Sequence, residues 1–439
     1  MTFIILFSGI LLLILLITWF KLNAFLSFLV VSLGIGFAKG MSVTAITDSI
    51  QKGMGDLLGS LVVILVIGAM LGKLIADNGA AQRIISSLMQ LFGKKYIVWA
   101  LVITAFIVGI PLFYGIGFVL LVPLVVTLSY KYDIPAVYIG LPMLAALSVT
   151  HGYLPPHPSP VALVRQYHAD LGLTLLYGFI AAVPAIIIAG PLFSMTLKKY
   201  KQTPLITFAG TPMEDKDLPG LADSLITALL PVILIGAATI VRLSGVSENI
   251  FTKIIIAAGD PIVALLLTLA YALYALVLKK GKKLEPCMVS MTEAVKDIAM
   301  ILLIIAGAGA LKQVLMDSGM GDQITASMHS FSAHPILAAW GIAAFIRVCL
   351  GSATVAGLTA AGIVAPMLAG SSVNPSLIVL ATGAGSLMFS HVNDGGFWMF
   401  KEYFNLSIKD TIKTWSFMET IVSVVGLLMV FVINFFISH

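Results

Sequence analysis

Two histidines occupy matched positions in the chain. Ser148-Val149-Thr150-His151 and Met388-Phe389-Ser390-His391 place them 240 residues apart. Each closes a long apolar run and opens a helix-breaking patch. In the first the patch is Gly152-Tyr153-Leu154-Pro155-Pro156-His157-Pro158; in the second it is Val392-Asn393-Asp394-Gly395-Gly396. Proline cannot continue a helix and Gly-Gly disfavours one, so the helix must stop and restart, which frees backbone amides and carbonyls. The N-terminus of a restarted helix suits a carboxylate, while freed carbonyls and hydroxyls suit a polyol or a cation. Thr150, Ser390 and Asn393 add neutral donors and acceptors. His151, His391 and Asp394 are the ionisable groups expected within the lipid, where such groups are costly, and imidazole titrates near neutral pH, which makes it a candidate proton carrier. The structural alternative is that the breaks only kink packed helices, that each imidazole caps free carbonyls, and that Asp394 caps the restart at Phe397-Trp398. Two copies of one break weigh against the kink.

The elements that must hold these residues are membrane spans. The 439-residue chain is 59% hydrophobic and 10% charged, with a mean hydropathy of +1.07, which excludes an ordinary soluble globule. Apolar stretches long enough to cross about 30 Å of hydrocarbon fall at 3–20, 24–40, 55–76, 136–168, 173–196, 223–243, 255–278, 295–316, 375–404 and 414–436. The first lacks a charged flank and a cleavage site and reads as a retained span. Two segments, 97–130 and 334–370, are too long for one span and are broken at 109–117 and at Gly351-Ser352-Ala353-Thr354. They are full spans joined by a turn, or re-entrant hairpins; tips of Gly, Ser and Thr favour hairpins. The basic clusters at 198–201 and 279–283 belong in the cytoplasm by the positive-inside bias, and counting outward from them places both termini outside. The formal charge of +5 fits that loop bias and, with no long basic tract, gives no reason to expect nucleic acid. Cys287 and Cys349 have no metal spacing and are expected to be free thiols.

The 240-residue register extends beyond the histidines. Asp77 and Gly79 match Asp317 and Gly319, Pro135 matches Pro375, and Asp170 with Thr174 matches Asp410 with Thr414. Duplication explains that set, and the topology above puts Asp77 inside and Asp317 outside. The expectation is therefore an all-α integral membrane protein with two inverted-topology repeats, re-entrant hairpins and discontinuous helices. The repeats would cover 1–201 and 223–439, joined by a cytoplasmic linker at 202–222.

The hairpin tips supply further site candidates. Gly351, Ser352 and Thr354 form a small, hydroxyl-bearing turn suited to an oxygen-rich ligand, although small residues also serve close helix packing. In the other tip Tyr114 offers a hydroxyl, and Gly115 with Gly117 allows close approach. Arg347 and Lys312 could balance a ligand carboxylate, but near span ends both are expected to snorkel. Asp260, in Gly-Asp-Pro, looks like a helix start, and Glu419 has no obvious partner. No phosphate loop, zinc spacing or nucleophile elbow occurs, so neither an enzyme nor an ATP-driven pump is expected.

At these residues the chain resembles the gluconate:proton symporter family, within the broader ion transporter superfamily. Carrying the resemblance are residues 67–73, 145–152 and 154–158, the run Gly351-Ser352-Ala353-Thr354-Val355-Ala356, and Ser390-His391-Val392-Asn393-Asp394 followed by Gly396-Phe397-Trp398. The resemblance spans essentially the whole chain. It implies proton-driven uptake of a small anionic sugar acid such as gluconate across a bacterial inner membrane, with no cofactor beyond the proton gradient. It also implies a homodimeric, elevator-type architecture in the lipid bilayer. Many relatives place a glutamate where this chain has Gly115, so coupling would fall to His151, His391 or Asp394, or the coupling ion would differ. A carrier of another small hydroxy acid or a D-serine-like amino acid, coupled to protons or to sodium, is the alternative.

Overall fold

A computed structural model describes residues 2–200, 202, 204, 213–244, 246, 249–320, 334–368, 371–392 and 394–438. Everything regular among them is helical. The helices are α1 Thr2–Thr18, α2 Ala24–Ala38, α3 Val43–Asp77, α4 Ala80–Phe92, α5 Ile97–Gly109, α6 Tyr114–Tyr132, α7 Ala136–Tyr153, α8 Pro158–Gln166 and α9 Leu171–Leu197. After the linker come α10 Leu221–Leu243, α11 Ile250–Ala258, α12 Pro261–Lys280, α13 Leu284–Asp317, α14 Pro335–Leu350, α15 Ala353–Met367, α16 Pro375–Gly385, α17 Gly395–Tyr403 and α18 Ile408–Ser438. Seven of the described helices are long and apolar enough to cross a membrane, or eight if the bent pair α4–α5 counts as one span. This is a multi-pass membrane protein.

Helix order repeats along the chain. α3, α5, α6, α7, α8 and α9 begin 237 to 241 residues before α13, α14, α15, α16, α17 and α18. The central pair, α3 and α13, packs antiparallel. Ser49 Oγ donates to Asp317 Oδ2 at 2.7 Å at one end, and Ser290 Oγ donates to Asp77 Oδ2 at the other. Between these ends the backbones touch at Gly53 and Gly309, where a Cβ on either would run into the other's carbonyl. Each of these helices is about 50 Å long at 1.5 Å per residue, well beyond the hydrocarbon thickness. That explains why both start some eleven or twelve residues before the apolar windows at 55–76 and 295–316. The extra turns carry Asp48 and Lys52 in α3 and Glu285 and Glu293 in α13, which a hydropathy reading leaves outside the span.

Other boundaries also move. The single span expected at 255–278 is two helices, broken at Gly259-Asp260. Asp260 caps the second, with its Oδ1 accepting from the Ile262 and Val263 amides, so the Gly-Asp-Pro reading holds. α4 falls in a stretch where the hydropathy pattern gives no span. At 13 residues it is too short to cross, and it lies at 112° to α5 with Ala80, Ala81, Ile84 and Ile85 on its buried face. Its Arg83 holds the described end of the linker through Asp215 Oδ1 and the Asp215 and Pro219 carbonyls. Residues 203 and 205–212 of the expected linker lie outside the described residues, as do residues 321–333.

Both long broken segments break where expected, α5 to α6 at residues 110–113 and α14 to α15 at Gly351-Ser352. At 13, 16 and 15 residues, α5, α14 and α15 span only about 20–24 Å, short of the hydrocarbon thickness.

The α3–α13 contact carries a direct stability prediction. Gly53→Val forces a branched side chain into the Gly309 backbone and should cost about 1–3 kcal/mol or more, seen as a lowered thermal midpoint of the purified protein. Gly55→Val, two residues along and facing open space, should melt like the parent. Equal melting of both variants would contradict this packing.

Candidate functional site

The break between α14 and α15 is held by local chemistry. Gly351 takes a left-handed φ of +81°, which only glycine adopts without strain. Ser352 then caps α15, its Oγ accepting from the Val355 amide at 3.3 Å. Arg347 lies one turn before the break and is 3% exposed. One of its terminal nitrogens donates to the Gly351 carbonyl, and the other reaches Asp394 Oδ2 at 2.5 Å. The expected snorkelling of Arg347 is therefore corrected. A buried guanidinium needs a counter-charge, and Asp394 supplies it from another broken helix. Lys312 does not reach outward either, since its Nζ donates to the Gln166 carbonyl at 3.0 Å.

Asp394 has a second task at the restart of α17. Its Oδ1 accepts from the Gly396 amide at 3.0 Å, so the capping reading and the functional reading meet in one side chain. Ser390 Oγ donates to Asp394 Oδ2 and accepts from Trp415 Nε1, the latter at 2.7 Å. Trp415 is seated by stacking on Phe400, with ring centroids 5.4 Å apart. Ser416 Oγ donates to the Ser390 carbonyl, which ties the end of the broken segment to α18.

Between these pieces lies a cavity of about 410 Å³. Its polar lining is Tyr114, Ser148, His151, Arg347, Ser352, Thr354, Asp394 and Glu419, and Leu350, Leu387, Met399 and Trp415 form apolar wall. That volume suits a small molecule of sugar size. Three buried polar atoms along it, Tyr114 Oη, His151 Nδ1 and Arg347 Nε, have no hydrogen-bond partner among the described residues. Buried polar atoms are normally satisfied, so these three are available to bond to whatever fills the cavity, water or a polar ligand.

Of the eleven expected substrate residues, Tyr114, His151, Gly351, Ser352, Thr354 and Asp394 line the cavity. Ser390 supports it from behind. Thr150 is fully buried outside it, with its Oγ1 donating to the Leu147 carbonyl. Gly115 is exposed at the start of α6, with open space where a side chain would project. His391 does not line it either, since its Nε2 donates to the Val348 carbonyl at 2.9 Å. Asn393 lies outside the described residues. The matched histidines are thus unequal in place, one on the cavity and one beside it.

Reading the sequence missed four contributors: Arg347 as a buried group, Glu419, Ser148 and Trp415. The register that found the histidines could not find them, because their counterparts are Ile107, Phe179, Met388 and Leu175. Arg347 did leave one signal, standing four residues before the Gly351 break with a mid-span carboxylate elsewhere in need of a cation. His157 is another part of the quoted motif with a definite role. Its Nε2 donates to the Gly109 carbonyl at 2.7 Å, which joins the α7–α8 break to the α5–α6 break. Its ring lies 5.4 Å from that of His151. Among the described residues no group of His, Cys, Asp or Glu is arranged to hold a metal ion.

The family model described as GntP family permease matches residues 1–436. The chain belongs to the GntP permease family. It is 46% identical to the high-affinity gluconate transporter of Escherichia coli K12 over 97% of this chain and 98% of that one. It is 46% identical to the Gnt-II system L-idonate transporter of the same organism over 99% of each, and 47% identical to the gluconate permease of Bacillus subtilis 168 over 97% and 98%. Among solved structures, the Alcanivorax borkumensis YdaH transporter matches with a TM-score of 0.64 over 90% of each chain. Its sequence identity of 16% makes that a likeness of fold alone. This permease is a transporter, not an enzyme.

If the cavity is wet, a thiol placed in it should react. In a background with Cys287 and Cys349 replaced by Ser, Thr354→Cys should be modified by a small charged thiol reagent at least about tenfold faster than Thr150→Cys, which is fully buried. Equal rates would mean that solvent does not reach this space.

Proposed function

We propose that this permease takes up gluconate or a related sugar acid together with protons across the bacterial inner membrane. The observation that carries the reading is a buried arginine at the rim of a capped helix start, inside a sugar-sized cavity. Arg347 and the N-terminus of α15 attract a carboxylate; Ser352, Thr354, Tyr114 and His151 offer hydrogen bonds to the hydroxyls of a polyol chain. The gluconate and idonate names of relatives at 46–47% identity support the same substrate class.

The mechanism we infer uses two inverted repeats, 1–201 and 223–439, with 202–222 between them. The antiparallel α3–α13 pair supports that arrangement, because equivalent helices of two copies facing the same way would run parallel. The short arms α5, α14 and α15 support re-entrant hairpins. In the elevator scheme α3 and α13 belong to the fixed frame, and the broken helices with their hairpins move the substrate. A homodimer in the bilayer, both termini outside and the proton gradient as energy source complete the proposal.

In proteoliposomes, uptake of labelled gluconate should saturate, fall on adding unlabelled gluconate or L-idonate, and collapse with a protonophore. Arg347→Lys keeps the charge and loses the fork, and should raise the half-saturating concentration about 10- to 100-fold; Thr354→Ala should raise it about 2- to 10-fold. Uptake indifferent to excess gluconate and to the proton gradient would overturn the reading, and parental affinity in both variants would overturn the site.

A further inference from the structure

Glu419 has no place in the substrate contacts above, yet it lines the same cavity and is 2% exposed. It sits one turn along α18 from Trp415. The only hydrogen bond of its side chain among the described residues is from Ser148 Oγ to Oε2, at 2.9 Å. No cation lies within ion-pair distance of it among those residues, since Arg347 is committed to Asp394 and the Gly351 carbonyl. A carboxylate held inside a membrane protein is costly and marks a proton pathway, and this one has no counter-charge and faces the cavity from which a proton can reach it.

We propose that Glu419 is the proton-carrying group of this permease. This rests on the proton-coupled sugar-acid reading above. The proton comes from water in the cavity when the site faces outward and bonds to Glu419 Oε1. Ser148 keeps its hydrogen bond to Oε2 in both protonation states, so protonation requires no rearrangement of that contact. When the site faces inward, the O–H bond breaks and the proton leaves to water on that side. No other reactant is needed, and the charge balance is one proton bound and one released per cycle.

Coupling follows from charge. The Arg347–Asp394 pair is neutral as a unit, so an incoming sugar-acid anion adds one negative charge to a space that Glu419 shares. Like charges close together favour protonation of one of them, so the anion tightens proton binding, and by linkage the proton tightens anion binding equally. The neighbouring titratable groups leave this task to Glu419. Asp394 is fixed by Arg347, Ser390 and the Gly396 amide. Tyr153 Oη, from α7, donates to the Val422 carbonyl, and His157 Nε2 to the Gly109 carbonyl. His391 is turned to Val348. Tyr114 and His151 also face the cavity with unpartnered polar atoms, and in the function proposed above they are the groups that hydrogen-bond the substrate.

The test is Glu419→Gln in proteoliposomes. Glutamine keeps the shape and the Ser148 contact but binds no proton. Gluconate exchange across the membrane should persist at a reduced rate, while proton-driven accumulation falls at least about tenfold and the alkalinisation that accompanies gluconate entry disappears. Protonophore-sensitive accumulation by the variant would overturn the inference. So would loss of exchange together with accumulation in a variant that remains folded, because Glu419 would then be a substrate contact. If the glutamine variant does not fold, infrared difference spectra of the parent decide the matter. Gluconate binding should raise a protonated-carboxyl band that Glu419→Asp shifts, and a band absent or unmoved would overturn the inference. Failure of the parent itself to couple gluconate to protons would instead overturn the underlying function.

Discussion

A guanidinium buried in a membrane protein must be matched in charge and in hydrogen bonds, and Arg347 is where this chain meets that demand. Breaking such a pair by removing one partner costs about 3–5 kcal/mol, because the survivor is left buried and uncompensated. The demand is met across two discontinuities. The Gly351 carbonyl is free because α14 ends there, and Asp394 is available because α17 begins there. The broken segments are therefore held together by the groups that their own breaks expose. Ser390, Trp415 and Ser416 extend the same network to α18.

That network also shapes the cavity. Its walls come from both halves of the chain, with Tyr114, Ser148 and His151 from the first and Arg347, Ser352, Thr354, Asp394 and Glu419 from the second. The contributions differ in kind. The first half brings neutral or weakly basic hydrogen-bonding groups, and the second brings the charges. Helix starts thus recur at a near-constant spacing along the chain, while the electrostatics of the site does not follow that spacing. In the proposed mechanism the separation is useful, because a fixed pair anchors the anion and an unpaired carboxylate is left to exchange a proton.

Much of this was legible in the sequence. The proline patch after His151 marks a real helix end, Gly395-Gly396 marks a real restart although the helix before it stops at Gly385 rather than at His391, the small-residue tip at 351–354 marks a real break, and Asp260 marks a real helix start. These features are local: a residue type forces or forbids a backbone conformation whatever surrounds it. What the sequence withheld depends on distant partners. Arg347 read as a snorkelling side chain because Asp394 lies 47 residues away, and Glu419 had no visible partner because Ser148 lies 271 residues away. α4 stayed hidden because its buried face is narrow and its length is below that of a span. The matched histidines gave the register, but a shared register does not give two side chains the same surroundings.

The most direct measurement of the central claim is a structure determined with gluconate bound. The account predicts the ligand in the cavity between the α14–α15 tip and the α17 start, its carboxylate within hydrogen-bond distance of Arg347 or of the first amides of α15. Gluconate found elsewhere, or seated there with its carboxylate turned away from both, would contradict it.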